Sequence, residues 1–220
     1  MKIIKYITAL SSLLLIPSVS IANEVSLKQF SEITLSKGIE AYIKYSDEPR
    51  LVLDGAEDVV SSAIIISKKG SLYIENPIED KSFITKLFSD NILTAIIYTN
   101  KPVEKIDAVF GSEVTNEKGT LAQNLSLNGS AGTNFNLKGS IKKLSLTHSM
   151  GGNFNKNTYN VFSAENVNIS ISTGVKVYLC GSQTISGNST LGSKLYIDKN
   201  SSHVKIANNI GSSIEYINCK

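Results

Sequence analysis

The sequence predicts an all-β fold, a parallel β-helix (solenoid) in which short strands stack as turns, or rungs, of about 20 residues. Three observations support this prediction. Apolar and polar residues alternate, glycines recur at spacings of 21, 19, 23, 18 and 19, and residues 120–220 contain 15 Asn and 16 Ser. Alternation is the period of a strand, and Gly, Asn and Ser suit the tight corners between strands.

The repeat is clearest from residue 104 onwards. Each copy carries two apolar residues two positions apart, then a small polar residue, any residue, a glycine and a further apolar residue. The copies span Ile106–Val114 (degenerate), Leu125–Phe135, Leu144–Phe154, Val167–Val177, Ile185–Leu195 and Val204–Ile214. Stacking them lets each backbone group bond the rungs about 4.8 Å above and below. One inward column should then contain Leu127, Leu146, Ile169 and Ile206.

An antiparallel sandwich is the alternative fold, because it also has short strands at intervals of about 8–12 residues. The repeat preserves residue type as well as spacing, which favours the solenoid. No pattern in the sequence supports a particular oligomer.

The first half is less regular, and we interpret residues 23–103 as the first rungs of the same domain. Strands are expected at 30–35, 39–45, 51–53, 63–66, 72–74 and 92–98. Residues 78–91 interrupt them, with apolar residues at helical spacing. We expect this insert to cap the open end of the solenoid; a segment that contacts a partner or a membrane is the alternative.

Residues 1–22 have the features of a signal peptide. Lys2 and Lys5 precede a short apolar run that Pro17 interrupts, and small residues stand at Ser20 and Ala22. The run is shorter than the roughly 20 residues that span a bilayer, which argues against a membrane anchor. We therefore expect an exported chain, in the periplasm, on the outer surface or secreted, whose residues 23–220 form one domain without an integral membrane segment.

Charge is distributed unevenly along the chain. Residues 23–119 contain 11 basic and 16 acidic side chains, net −5, and residues 120–220 contain 9 and 3, net +6. The sum is close to neutral, which argues against binding nucleic acid. Two interpretations stay open: an ordinary solvated surface, or a cationic flank that meets an anionic glycan or lipid headgroup.

Several segments resemble a known family. They are Phe30-x-x-Ile33, Gly38-Ile39-x-Ala41-x-Ile43, Leu51-Val52-Leu53 and Gly70-Ser71-Leu72-x-Ile74, followed by Gly-Ser pairs at 111, 129, 139, 181, 192 and 211. Together they resemble the "putative auto-transporter adhesin, head GIN domain" family over about residues 28–215. The resemblance implies a right-handed parallel β-helix and adhesion at the bacterial envelope, with no assigned catalytic residue. Several corners lack Gly-Ser, and the insert at 78–91 looks longer than the family carries.

Enzyme chemistry has little support in the sequence. Glycosidases need two carboxylates at a set separation, but residues 120–220 contain only Glu165, Asp198 and Glu215, each in a different phase of the repeat. His148, expected to point outward, and His203 lack a second ligand at metal-binding spacing. No cofactor or metal is expected. The prediction is a non-catalytic binding or structural protein; a polysaccharide lyase or glycosidase on a β-helix is the alternative.

The candidate binding residues lie on one outward face. Tyr178 and Tyr196 hold the same offset from their corner glycines, and Lys176 and Lys194 stand two residues before them. We predict that these four side chains form a lateral contact strip for a glycan or another envelope component. Ordinary aromatic stacking that stabilises the solenoid is the alternative. Tyr159, Phe162 and Tyr216 are further aromatics that the pattern places outside.

The two cysteines, Cys180 and Cys219, suggest a disulfide in an exported chain. They lie two rungs apart, about 10 Å along the axis, whereas bridged Cα atoms are rarely more than about 7 Å apart. Unless the C-terminal tail folds back, no disulfide is expected.

Overall fold

The computed structural model describes residues 23–77, 92–156 and 161–219. Two long β-sheets run along one axis and face each other across the core. The predicted signal peptide (1–22) and the predicted cap (78–91) lie outside the described residues, as does Tyr159. The first sheet, sheet A, contains, in spatial order, β1 (Asn23–Ser26), β4 (Arg50–Asp54), β7 (Leu93–Thr99), β3 (Ile39–Tyr45), β9 (Glu113–Asn116), β11 (Asn134–Asn136), β13 (Asn153–Phe154), β15 (Lys176–Leu179), β17 (Lys194–Asp198) and β19 (Ser213–Ile217).

The second sheet, sheet B, packs its inner face against that of sheet A. It contains, in spatial order, β18 (His203–Asn208), β16 (Thr184–Ser189), β14 (Phe162–Ile171), β12 (Gly139–Ser149), β10 (Leu121–Ser130), β8 (Val103–Val109), β2 (Glu32–Ser36), β6 (Ser71–Glu75) and β5 (Ile64–Lys68). One helix, α1 (Glu57–Ser62), lies between β4 and β5 in sequence.

The parallel β-solenoid predicted from the repeat is confirmed, with about 21 residues per turn. From β8 onwards each rung is one strand of sheet B, a corner, and one strand of sheet A. Every neighbouring pair from β8 to β19 is parallel within its sheet. The alternating side chains explain the core, because successive residues of a strand point to opposite faces.

The predicted inward column is confirmed. Leu127 pairs with Leu146, Leu146 with Ile169, and the column continues through Gly187 to Ile206. Leu127, Leu146 and Ile169 are fully buried, whereas Ile206 in the last rung packs against the core while partly exposed. Among the described strands β18 is at the edge of sheet B, which accounts for that difference.

The corner between the sheets has the same backbone in each of the six rungs from β8 to β19. The residue before the corner glycine has φ between 50 and 61°, and the glycine itself has φ between 70 and 84°. This pair of left-handed residues turns the chain sharply. Where the next residue carries a hydroxyl, it often donates a hydrogen bond back across the corner, as Ser112 does to the carbonyl of Val109 (2.8 Å) and Thr133 to that of Ser130 (2.7 Å).

In the first half of the chain, the order in which the strands stack differs from their order in the sequence. The rung of β2 and β3 lies between the rung of β6 and β7 on one side and that of β8 and β9 on the other. The chain therefore passes across its own first rung between Thr99 and Val103. Hydrophobic alternation could not show this, because it reports which face is buried but not which strands are neighbours.

Antiparallel strands and a helix close the N-terminal end. β4 pairs antiparallel with both β1 and β7, and β5 pairs antiparallel with β6. Helix α1 buries Val59 and Val60 against the core. Arg50 ties this end together: its guanidinium lies 3.8 Å from the ring centroid of Tyr98 and 3.3 Å from the Glu24 carboxylate. These elements cover apolar surface that an open solenoid would expose.

The expectation of free cysteines is wrong. Cys180 and Cys219 form a disulfide, and their Cα atoms are 5.6 Å apart. Cys180 directly follows β15, and Cys219 lies two residues beyond the end of β19, two strands further along sheet A. The tail after β19 folds back along the axis, so counting rungs overestimates the separation.

Reducing this disulfide should destabilise the C-terminal rungs. It closes a loop with a sequence separation of 39. A disulfide that closes a loop of this size stabilises the folded protein by about 2–4 kcal/mol relative to the unfolded chain. We expect a Cys180→Ser/Cys219→Ser variant to unfold at lower denaturant concentration than the oxidised protein. Circular dichroism titrations with and without reductant test this, and an unchanged midpoint would show that the bridge contributes nothing.

Candidate binding surfaces

The two tyrosines of the predicted strip share one outward column, as their spacing indicated. Tyr178 pairs with Tyr196 across β15 and β17, and their rings stack with centroids 4.3 Å apart and planes 8° apart. Both side chains are half-buried. Burial, and next the neighbouring Tyr196, raise the pKa of Tyr178 above its ordinary value of 10.0. Because the two facing ring surfaces cover each other, the strip presents hydroxyls and ring edges.

The other aromatics do not extend this column. Tyr216 is exposed but lies in register with Ile197. The residue in register with Tyr196 in the next rung is Glu215. The expectation that Phe162 is exposed is wrong, because its ring packs edge-on against Phe154 in the core. Phe162 is the first residue of β14, and the repeat does not show which face of the strand begins there.

The lysines of the strip stand side by side. Lys176 pairs in register with Lys194, and both are exposed. Lys194 has a long ion pair with Glu215, 3.9 Å between Nζ and Oε1. Like charges directly opposite each other on neighbouring strands repel. The pair therefore forms a local positive site that an anion would stabilise.

The uneven charge seen in the sequence is ordered along one outward column of sheet A. The members, in register, are Glu40, Glu113, Asn134, Asn153, Lys176 and Lys194. The amide of Asn153 donates to the carbonyl oxygen of Asn134 (2.8 Å), forming one step of a ladder. The column thus changes from acidic side chains in the middle of sheet A to basic side chains towards its C-terminal end.

A groove on the outer face of sheet B was not identified as a site from the sequence. It has a volume of about 460 Å³ and runs between two ladders of side chains. One ladder contains Asn124, Lys143, Asn166 and Thr184, and the other Ser126, Ser145, Asn168 and Ser186. Leu125, Leu144 and Val167 lie between the ladders with buried side chains, so their backbone forms the floor. The abundance of Asn and Ser was the only signal of this surface in the sequence.

The three carboxylates considered for catalysis lie on different elements. Glu165 is exposed on β14 of sheet B, and Glu215 is exposed on β19 of sheet A. Asp198 is buried at the end of β17, where its Oδ1 accepts hydrogen bonds from the backbone N–H and the side-chain amide of Asn200, both 3.0 Å. Asp198 therefore stabilises a turn.

The expectation that His148 points outward is wrong. It is fully buried, its Nε2 donates to the carbonyl of Thr133 (2.9 Å), and its ring contacts Phe135 edge-on. Gly129 and Gly152 make room for it, because a Cβ on either glycine would lie within 2.9 Å of the ring. Strand β12 extends further towards the corner than the repeat predicted. Its alternation of inward and outward side chains therefore includes His148 and places it on the inner face.

Within the described ranges, no helix has the length and apolar character needed to cross a membrane. The same residues contain no cluster of three or more His, Cys, Asp or Glu side chains placed to hold a metal ion.

The chain belongs to the family described as "putative auto-transporter adhesin, head GIN domain", whose model matches residues 29–201. None of the curated proteins gives a sequence match. The fold is shared with two solved structures called putative adhesins, from Bacteroides fragilis (TM-score 0.66, 14% identity) and Parabacteroides merdae (TM-score 0.60, 12% identity). Each alignment covers 91% of this chain, and 98% and 97% of the respective neighbour.

A third neighbour is called a putative lipid binding protein, from Parabacteroides distasonis, with a TM-score of 0.50 and 12% identity over 91% of this chain and 98% of that one. Identities this low show a shared fold alone.

His148 should make stability depend on pH. Burial lowers its pKa from the ordinary 6.5, and its backbone hydrogen bonds offset this only in part. The unfolded chain therefore binds a proton more readily than the folded one, so the free energy of unfolding falls as the pH drops below about 6.5.

We expect a His148→Gln variant, which keeps a donor for Thr133, to lose less stability than the wild type on going from pH 7 to pH 5. Urea titrations at both pH values test this. Equal losses in the two proteins would contradict the assignment.

Proposed function

We propose that this chain is an exported, non-catalytic binding protein of the bacterial envelope that attaches to a glycan or another surface component. In this proposal residues 1–22 direct export and residues 23–220 form a single binding domain. The adhesin family and the shared fold of adhesin-named structures support an adhesion-like role. The contact would be made by the side of the solenoid.

The observation that carries the proposal is the arrangement of the strip. Two rungs place two exposed ammonium groups and two phenolic hydroxyls on one face, in adjacent columns. A carboxylate or sulfate bound between Lys176 and Lys194 would remove their mutual repulsion and form charge-assisted hydrogen bonds. The tyrosine hydroxyls could then bond the neighbouring sugar hydroxyls. An acidic glycan fits this chemistry better than a neutral one.

A strip this small would provide modest affinity by itself. Its four side chains are accessible from solvent and do not enclose a ligand. Adhesion through such a surface depends on several strips engaging one polymer or cell together, because linked contacts raise the effective concentration of each further contact.

The strip hypothesis predicts that a Tyr178→Ser/Tyr196→Ser variant loses binding to acidic glycans. Removing both rings takes away two hydroxyls and the stacked aromatic surface beside the lysines. We expect at least a tenfold drop in retention on an array of acidic glycans, with only a small fall in melting temperature.

The matched control changes the groove on the opposite sheet. An Asn166→Ala/Asn168→Ala variant alters two exposed positions of sheet B and should bind the array as the wild type does. If this control loses binding while the tyrosine variant binds fully, the glycan site is the groove and not the strip.

The non-catalytic part of the proposal predicts binding without turnover. We expect the oxidised protein to leave polygalacturonate and a sulfated polysaccharide at full length during prolonged incubation, as judged by size-exclusion chromatography. Depolymerisation that disappears in a Glu165→Gln or Asp198→Asn variant would overturn the non-enzyme proposal and support the carbohydrate-active alternative.

A further inference from the structure

A line of exposed side chains follows the corner that joins sheet B to sheet A. We call it the corner ridge, and it consists of Phe110, Ala131, Met150, Thr173, Leu191 and Ile210. Its four large apolar members are well exposed: Phe110 by 48%, Met150 by 63%, Leu191 by 49% and Ile210 by 73%. These residues occupy the variable position of the repeat, immediately before each corner glycine.

The ridge is continuous from rung to rung. The N–H of each corner glycine donates to the carbonyl of the ridge residue in the next rung, over 2.8–3.1 Å, in five successive steps from Gly111 to Ile210. At about 4.8 Å per rung the ridge is roughly 24 Å long. It is a straight, narrow and convex edge.

Apolar side chains at these positions are unfavourable in the isolated fold. All six ridge residues have φ between 50 and 61°, a conformation that suits Gly, Asn and Asp and is unusual for a β-branched residue such as Ile210. The side chains also stay in water, so burial within the described fold does not offset this cost. Backbone strain of this kind points to a role at the surface.

Positive charge adjoins the C-terminal half of the ridge. Lys176 and Lys194 lie three residues after Thr173 and Leu191 and point outward from the strands that begin at the corner. Glu113 holds the same position three residues after Phe110, at the N-terminal end of the ridge, so the positive charge is confined to the C-terminal half. An apolar edge flanked by lysines is complementary to a surface that is apolar inside and anionic outside.

We propose that the corner ridge docks this protein edge-on to the surface of an anionic lipid bilayer. Its apolar side chains would insert at the boundary between headgroups and acyl chains, while Lys176 and Lys194 meet the phosphates. A deformable bilayer accepts a narrow convex edge, whereas a protein partner would need a matching groove. A second copy would bring ridge against ridge and lysine against lysine. This docking does not depend on a glycan ligand.

The left-handed backbone provides a clean test. A Met150→Asn/Leu191→Asn/Ile210→Asn variant removes three apolar side chains but introduces the residue that tolerates this conformation best after glycine. Its melting temperature should equal or exceed that of the wild type. The oxidised wild-type protein should co-sediment with vesicles of phosphatidylglycerol and phosphatidylethanolamine, and the triple variant should partition at least tenfold less.

Three controls identify the surface. Vesicles of phosphatidylcholine alone should retain much less wild-type protein, and salt should weaken binding to the anionic vesicles. An Ile66→Thr variant, which changes an exposed apolar residue of β5 away from the ridge, should bind the anionic vesicles as the wild type does. The Tyr178→Ser/Tyr196→Ser variant should also bind them, which separates this proposal from the glycan strip.

Three results would overturn the proposal. The first is a wild-type protein that does not sediment with the anionic vesicles. The second is a triple variant that binds them as well as the wild type. The third is a concentration-dependent dimer, measured by light scattering, that the triple variant abolishes, because this would assign the ridge to a second copy of the chain.

Discussion

The regular part of the solenoid, from β8 to β19, depends on one backbone constraint: each rung must turn at the same point. Two consecutive left-handed residues make that turn, and the corner amides bond from one rung to the next. A slip of one residue at any corner would reverse the inward and outward faces of the following strand. Hydroxyl side chains such as Ser112 and Thr133 strengthen the turn by donating to the carbonyl at its start.

A fixed register converts single residues into columns, and the surface chemistry follows from this. One tyrosine or one lysine on a strand would be an ordinary exposed side chain. Repeated in register, the same residues become a stacked pair of rings and a pair of adjacent ammonium groups. The amides behave similarly, since Asn134 and Asn153 bond each other while the Asn and Ser ladders of sheet B border a groove.

The ends of the solenoid need different solutions, because stacking alone leaves the last rungs without a partner. At the N-terminal end, antiparallel strands and helix α1 cover the core. At the C-terminal end, the disulfide between Cys180 and Cys219 ties the tail to an earlier rung. Val204, Ile206 and Ile214 pack against the core there while only partly buried, so the covalent link supplements the packing at this end.

Local periodicity by itself determined the solenoid, the corner glycines, the column from Leu127 to Ile206 and the alignment of Tyr178 with Tyr196. Each of these follows from spacing within or between repeats, which a linear sequence records directly. The tertiary structure alone decided the crossing of the first rungs, the buried side of His148 and the disulfide. These depend on how the strands extend and on which segments become neighbours. His148 is inward because β12 continues to Ser149, and its ring fits because Gly129 in the adjoining rung and Gly152 after its own corner leave space. Cys219 reaches Cys180 because the tail folds back. The spacing of the repeat records neither the length of β12 nor the path of the tail.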